Sequence, residues 1–206
     1  MQLVLGVAGA VLMPWDPALG FSLGWTVGSL LFPQKQPGQS VGKIDDLHLT
    51  GSGYGVMIPI VYGACRTGGN VIWSQDLVEH TSSHTEGGKG GGGVTVTEYS
   101  YTCSFAVAVC EGPISNIKRI WAEDILIYDQ GSWSSGITSE TARIYLGTET
   151  QTADDLISGI EGATSTPGYR GLAYVVFENL DLTKWGNRVP QLNFEVLGDM
   201  TLALGG

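Results

Sequence analysis

The feature that most constrains the fold of this sequence is a succession of short apolar or alternating runs, each ended by glycine, proline or asparagine. Runs of this length are typical of β-strands joined by tight turns, and their regular spacing favours a sandwich or barrel. One short helix is predicted over residues 153–160, entered through Thr152 with Asp154 and Asp155 in its first turn. We therefore predict a mainly β protein with a single short helix. The predicted strands cover residues 44–50, 57–62, 70–74, 95–110, 114–121, 125–128, 143–146, 172–177 and 191–197.

The clearest predicted strand covers residues 99–110, where bulky and small side chains alternate. Successive side chains of a strand point to opposite faces, so the bulky set, which includes Phe105, should fill a core. The small face should let another sheet or subunit approach closely, which makes its residues predicted subunit contacts. A turn over residues 111–113 should return the chain antiparallel into the strand at 114–121. The predicted contact residues of this strand are Ser100, Thr102, Ser104, Ala106 and Ala108.

Residues 1–32 are apolar and glycine-rich, and they carry almost no charge. Pro14 and Pro17 interrupt them, which argues against a single membrane-spanning helix, and no cleavage motif of a signal peptide follows. Glycines recur at every fourth position, and on a helix they would form a smooth strip for contact between copies. A buried glycine-rich coil without a helix is the alternative. These predicted contact glycines are Gly20, Gly24 and Gly28.

The remaining chain divides by composition. Residues 33–43 are polar and are predicted to be a linker, residues 44–197 a β-rich domain, and residues 198–206 a C-terminal tail. Residues 80–93 have few side chains that could pack, so they are predicted to form a mobile loop that is ordered only by a partner.

No cofactor or metal site is predicted within that loop. Lys89 is followed by glycine, which breaks the order of residues that a phosphate-binding loop requires. His80 and His84, with Glu86 nearby, could share a metal ion only on a helix, and the surrounding serine, threonine and glycine disfavour one.

No catalytic set is predicted either. The acidic pairs at residues 45–46, 123–124 and 154–155 are adjacent in sequence, and adjacent side chains of a strand point to opposite faces. Such pairs ordinarily occupy turns and helix caps rather than a glycosidase site. The three histidines lack the local signatures of a serine hydrolase. We therefore predict that the protein is not an enzyme.

Charge and cysteine usage limit the partners. The formal net charge of -10 would repel a phosphate backbone, so tight nucleic-acid binding is not expected, although DNA could slide past such a wall. Charged residues make up only 15% of the chain, which hints at burial in an assembly. Cys103 and Cys110 are separated by about 23 Å of strand and point to opposite faces, so they cannot bridge. Cys65 could reach one of them, but reduced thiols of a protein made in a cytosol are preferred.

A series of short motifs runs from Met1 to about Leu197. In this order and spacing they resemble the N-terminal part of the tail-tip hub proteins of long-tailed bacteriophages and of the large tail protein of gene transfer agents. Several of their glycines should lie where strands turn or bend, namely Gly63, Gly112, Gly171 and Gly186. The motifs are Leu19-Gly20-x3-Gly24-Trp25-x2-Gly28, Ile58-Pro59-Ile60-Val61-Tyr62-Gly63 with Arg66 and Gly69-Asn70-Val71-Ile72-Trp73, Thr97-Glu98-Tyr99-Ser100-Tyr101, Phe105-Ala106-Val107-Ala108, Cys110-Glu111-Gly112-Pro113-Ile114, Arg119-Ile120-Trp121-Ala122, Gly147-Thr148-Glu149-Thr150-Gln151, Tyr169-Arg170-Gly171-Leu172-Ala173-Tyr174-Val175-Val176-Phe177, Gly186-Asn187-Arg188-Val189-Pro190-Gln191-Leu192 and Phe194-Glu195-Val196.

The resemblance implies a structural hub of the virion tail tip, made in the host cytoplasm and usually a homotrimer, that closes the tail tube and takes part in DNA ejection. The implied partners are distal tail and tail-tube ring proteins, the tape measure protein and fibre or receptor-binding proteins. Contact of the N-terminus with a membrane at infection stays open. Relatives continue into large additional domains, so their receptor-binding and penetration activities are not expected here.

The alternative function is that of an exported β-sandwich module that binds carbohydrate. Trp133 and Trp185 would then be exposed and would stack on sugar rings. Packing at a subunit interface is the competing interpretation for both tryptophans.

Overall fold

The structure, a computed structural model, describes residues 16, 18–19, 22, 39–41, 56–86 and 94–198. The chain divides into two compact units: Met1–Val41 with Thr81–Tyr99, and Gly42–His80 with Ser100–Gly206. The predicted contact glycines Gly20, Gly24 and Gly28 and the predicted strand at 44–50 lie outside the described residues. The predicted domain ranges stay predictions.

The protein is mainly β with a short helix in its second unit, which confirms the predicted fold class. The helix α1 covers Asp155–Glu161, and a turn of 3-10 helix covers Thr183–Trp185. None of the described helices is long and apolar enough to cross a membrane. The strands are β1 (Gln39–Val41), β2 (Ala64–Gly68), β3 (Asn70–Ser74), β4 (Val78–Glu86), β5 (Val94–Glu111), β6 (Ile114–Ala122), β7 (Ile125–Asp129), β8 (Ser132–Trp133), β9 (Ala142–Leu146), β10 (Leu172–Asp181) and β11 (Leu192–Gly198).

In the second unit, two mainly antiparallel sheets form a sandwich. The first sheet contains β3, the C-terminal part of β5, β10 and β9, and the second sheet has the order β2-β11-β6-β7-β8. Fully buried aromatic side chains from both sheets fill the space between them, including Phe105 stacked on Phe177 at 5.2 Å between ring centroids, and Phe194. Each such side chain contributes roughly 1.5–3 kcal/mol through burial. The alternation predicted for the bulky face of β5 therefore does fill a core.

In the first unit, β1 pairs in parallel with β5, where Gln39 lies opposite Val96. Residues 39–41 are thus a strand, although they fall within the predicted linker. β4 also pairs with β5, and the hydroxyls of Ser83 and Thr97 lie 3.2 Å apart. The loop predicted from residue 80 is therefore wrong for residues 80–86, because backbone pairing orders a segment whose side chains are all exposed. Residues 87–93 lie outside the described part.

Two strand predictions are corrected by backbone pairing. Residues 57–62 do not form a strand, since Pro59 lacks an N–H and only Ile60 makes a bridge, to Glu111. The strand at 114–121 does not return beside β5 but pairs with β11 and β7 in the second sheet. The N–H groups that would start a hairpin are used elsewhere, because Glu111 donates to Pro59 O and Gly112 to Gly171 O.

Local geometry supports the predicted bends. Gly63, Gly112, Gly171 and Gly186 have φ values of 71°, 84°, 74° and 64°, the left-handed region that glycine adopts without strain. This confirms that these motif glycines lie where the chain turns. The helix start differs by two residues from its prediction, since Asp154 rather than Thr152 caps α1.

A bulge in β5 corrects the predicted orientation of one cysteine. Ala173 lies opposite Cys110, whereas Tyr174 lies opposite Ala108, so Val109 is an extra residue. The extra residue shifts the alternation of side chains, and Cys110 faces the second sheet as Cys103 does. The two cysteines therefore share a face, contrary to the prediction from simple period-2 alternation.

Candidate assembly interface

Residues 56–65 form an exposed apolar segment on the second unit, and none of them is charged. Met57 is 90% exposed, Tyr62 69% and Ile60 59%. The backbone is nevertheless held, since Glu111 N–H donates to Pro59 O at 2.9 Å and Gly198 N–H to Gly63 O at 2.7 Å. Large apolar side chains on a fixed backbone are characteristic of a surface that another protein covers. We call residues 56–65 the apolar segment.

A shallow groove of about 310 Å³ lies beside the apolar segment. Residues 56–59 form one part of its lining, and residues 67–70 with Ala108 form the rest. Asn70 Oδ1 is buried and accepts no hydrogen bond from the described chain. The groove could therefore take up an apolar side chain of a partner whose backbone donates to Asn70.

The strand β2 adds an open edge to this surface. Within the described ranges it pairs only with β11. Its side chains are largely exposed, and the Arg66 guanidinium lies 4.1 Å from the centre of the Trp121 ring. An open edge presents unpaired backbone groups to other chains, and a charged side chain limits such pairing. Apolar side chains, a groove and a strand edge thus lie along one stretch of sequence.

Three of the five contact residues predicted on β5 are buried within this chain. Ala106 is fully buried in a cluster with Ile157, Tyr174 and Val176, so α1 of the same chain packs on this position. Ser104 and Ala108 are buried as well. The small side chain of Ala106 therefore allows α1 of the same chain to pack closely on β5.

The two outer positions of that set are half-buried rather than fully covered. Thr102 Oγ1 lies 3.0 Å from His80 Nε2, and Ser100 is half-buried. A role in subunit contact stays a prediction for these two residues, as it does for Ser104, Ala106 and Ala108. Gly20, Gly24 and Gly28 cannot be placed, since they fall outside the described chain.

A buried ionic cluster fastens α1 to the first sheet. The Asp154 side chain has no exposure and accepts hydrogen bonds from Arg143 Nε at 2.7 Å, Arg143 Nη2 at 3.1 Å and Tyr145 Oη at 2.8 Å. It also caps α1 by accepting from the N–H groups of Leu156 and Ile157. Because every acceptor position is taken, this carboxylate is not available as a general base.

The protonation of this cluster follows from its contacts. Burial acts to raise the pKa of Asp154, but hydrogen bonds from Arg143 and Tyr145 outweigh it and lower the pKa below 3.8. Burial, with the bond to Asp154, raises the pKa of Tyr145 to about 12. The Arg143 pKa is raised, mainly by its bond to Asp154, and Arg143 also binds Glu178 at 2.8 Å. These contacts show that the cluster holds α1 against the first sheet and offers no group for catalysis.

The described histidines and acidic pairs considered as candidate metal or catalytic residues lie apart from one another in the structure. His80 and His84 lie on β4, where four residues span about 13 Å, so they cannot share an ion. In the described ranges, no group of three potential ligands could hold a metal. Glu123 lies in the turn between β6 and β7 and pairs with Arg188 at 2.7 Å. Asp154 and Asp155 occupy the cap and first turn of α1.

The tryptophans proposed for carbohydrate stacking are not both exposed. Trp185 is buried, which contradicts its predicted role as a sugar platform. Trp133 packs within the chain against Tyr128 at 4.6 Å and Phe177 at 6.1 Å between ring centroids. The structure therefore removes the main support for a carbohydrate-binding module.

The apolar segment is the feature that sequence reasoning assigned wrongly. Residues 57–62 were predicted as a strand because they are apolar, whereas the structure shows no strand there and exposed side chains at Met57, Ile60 and Tyr62. Two signals in the sequence point to an unusual role: the absence of charge over residues 56–65 and Pro59 within the run.

No protein-family model matches the sequence, and no curated protein matches it. Among solved structures, this chain is similar to a chain from the virion of a native gene transfer agent particle, with 32% identity and a TM-score of 0.54. The match covers 91% of this chain and 38% of that chain. The protein is thus similar, in sequence and in fold and over most of its own length, to part of a larger virion protein.

Proposed function

We propose that this protein is a structural component of the virion of a long-tailed bacteriophage or gene transfer agent. The observation that carries the proposal is the similarity to a gene-transfer-agent virion chain at 32% identity over 91% of this chain. Similarity in both sequence and fold over this length supports a shared role as a virion component.

Within the virion we propose a place in the tail-tip hub, which closes the distal end of the tail tube and opens during DNA ejection. The support is the motif series, whose resemblance is to hub proteins. The motif glycines Gly63, Gly112, Gly171 and Gly186 occupy left-handed turns, as a retained backbone path would require. The net charge of -10 suits a wall that DNA passes without sticking.

We further propose that the protein acts as a homotrimer in contact with tail-tube ring proteins, the tape measure protein and fibre or receptor-binding proteins. The apolar segment supports assembly, because Met57, Ile60 and Tyr62 would otherwise remain in water. We propose no catalytic role. Asp154, the fully buried carboxylate, is already saturated with hydrogen bonds.

Mass spectrometry of purified particles, with cryo-EM of the tail tip, tests the location. We expect this chain at the distal end of the tail, in three copies. Light scattering of the purified protein should give a trimer. A monomer that is missing from particles would overturn the proposal.

Changing the apolar segment tests how the protein assembles. Met57→Ser together with Tyr62→Ser should reduce incorporation into particles at least tenfold, while the thermal midpoint of the purified protein should change by less than about 2 °C. The matched control is Leu126→Ser, since Leu126 is an exposed apolar residue on β7 away from this segment. Normal incorporation of the double variant would contradict a role of this surface.

Deletion of residues 1–32 tests the N-terminal segment. We expect the deletion to abolish assembly while the β-rich part stays folded, because the buried aromatic side chains described between the two sheets, Phe105, Phe177 and Phe194, come from later strands. Particles of normal composition from the deletion variant would refute this.

A further inference from the structure

Cys65 and Cys110 come from different sheets of the sandwich but face the same interior. Cys110 faces the second sheet because of the bulge at Val109. Cys65 lies opposite Val196, which is fully buried, and cross-strand partners share a face. Cys65 therefore points toward the first sheet, although it is exposed at the open edge β2.

The two cysteines also lie at the same end of the sandwich. The chain leading into and out of β2 touches β5 twice, at Ile60 opposite Glu111 and at Gly69, where an added Cβ would overlap Val107. The segment between these contacts is held along the last residues of β5. Cys65 lies within this segment, and Cys110 is among those residues.

The electrostatics agree with this placement. Burial raises the pKa of the Cys110 thiol to about 11, and the neighbouring Cys65 adds to the rise. The third cysteine, Cys103, is buried at an earlier position of β5, and its thiol donates weakly to Gln75 O at 3.6 Å. Cys103 therefore serves as an internal control.

We propose that Cys65 and Cys110 are a cross-linking pair, which forms a disulfide between the two sheets when the protein meets an oxidising disulfide. All three cysteines are free in this structure. A disulfide requires Cα atoms about 4.4–6.8 Å apart, so the proposal requires β2 and the end of β5 to come within this distance. Among the described strands β2 is hydrogen-bonded on one side only, to β11.

The reaction proceeds by two exchanges with, for example, oxidised glutathione. The exposed Cys65 thiolate attacks the glutathione disulfide, forms a mixed disulfide and releases one glutathione thiolate. Cys110 then loses its proton and attacks the Cys65 sulfur, which forms the protein disulfide and releases the second glutathione. Two protein thiols are oxidised, one glutathione disulfide is reduced, and the two thiol protons pass to the released thiolates.

The bond would tie the apolar segment to the core. Its biological setting rests on the proposed function, since a virion protein is made in a reducing cytosol and later released into an oxidising medium. Formation of the bond does not rest on that function, because the reaction needs only the purified chain.

The test treats the reduced full chain with oxidised glutathione, quenches with acid and analyses the peptides by mass spectrometry. We expect a mass loss of about 2 Da, a linked pair of peptides containing Cys65 and Cys110, and a free Cys103. The attack of Cys110 on the mixed disulfide should be about tenfold faster at pH 8 than at pH 7, because the Cys110 thiol must ionise before it reacts. Oxidation should raise the thermal midpoint by roughly 10 °C.

Cys65→Ser is the matched control, since it removes one exposed thiol from an edge strand. Its thermal midpoint should not respond to oxidised glutathione. Persistence of Cys65 as a mixed disulfide with Cys110 still reduced would overturn the proposal. A Cys65–Cys65 link between two chains would overturn it as well. Either result would leave the virion role intact, since that role is tested in particles.

Discussion

Replacing Arg143 by Met should be among the most damaging changes to a partly exposed residue of this protein. The substitution keeps an apolar stem of similar length but removes the guanidinium that binds Asp154 and Glu178. Asp154 would remain fully buried, with only Tyr145 and the N–H groups of α1 as hydrogen-bond donors. An uncompensated buried charge is what makes the change costly.

The magnitude follows from burial. Removing one partner of a buried ion pair costs about 3–5 kcal/mol, and the 25% exposure of the Arg143 side chain places this case at the lower end, about 3 kcal/mol. For a chain of this size, that corresponds to a fall in the thermal midpoint of roughly 10 °C. Urea unfolding followed by tryptophan fluorescence measures the loss as a shift in midpoint at constant slope.

Arg119→Met is the matched control. Arg119 also contacts two carboxylates, Asp129 at 3.4 Å and Glu195 at 3.5 Å, but its side chain is 44% exposed. Exposed pairs contribute less than about 1 kcal/mol, so this variant should be nearly as stable as the wild type. Equal losses for the Arg143 and Arg119 variants would refute the reasoning. A second variant, Arg143→Met with Asp154→Asn, should recover part of the loss, because no buried charge remains.

The remaining predictions concern pH and packing. The pKa of Asp154 is lowered in the folded protein, so its contribution to stability is present above the unfolded value of 3.8 and is lost as pH falls through the lower folded value. The urea midpoint should fall more steeply below about pH 4 in the wild type than in Asp154→Asn, and equal slopes would contradict this. Gly69→Ala should cost about 1–3 kcal/mol in urea unfolding, since its Cβ would overlap Val107 and Phe194. Gly68→Ala, with open space around the added atom, should change the midpoint little, and similar losses would exclude the overlap as the cause.

Most strands were predictable because they are buried on one or both faces. β5, β10 and β11 show apolar runs or alternation, and each carries fully buried residues. β2 and β4 were missed because their side chains are small, polar or exposed, so no apolar contrast marks them. Their strand conformation comes from backbone pairing with β11 and β5, which a local pattern does not contain.

Pairing between elements was harder to predict than the elements themselves. A tight turn favours a hairpin between β5 and β6, but the N–H groups at that turn donate to the carbonyl oxygens of the distant residues 59 and 171. The sequence of β5 alone could not show which element packs on Ala106, on the small face of the strand. The helix that packs on Ala106 begins almost fifty residues later and is held there by Asp154 and Arg143.

We propose that stability and assembly depend on different residues in the second unit. Burial of Phe105, Phe177 and Phe194 and the cluster around Asp154 stabilise the sandwich without using the apolar segment. Changes to Met57 or Tyr62 should therefore affect assembly without loss of stability, whereas changes to Arg143 should lower the stability of the sandwich. The proposed Cys65–Cys110 bond would connect the assembly surface to the stable core, because Cys65 is the last residue of the apolar segment and Cys110 lies on the core strand β5. An assembled surface held in this way would lose less conformational freedom on contact, which favours a tight interface.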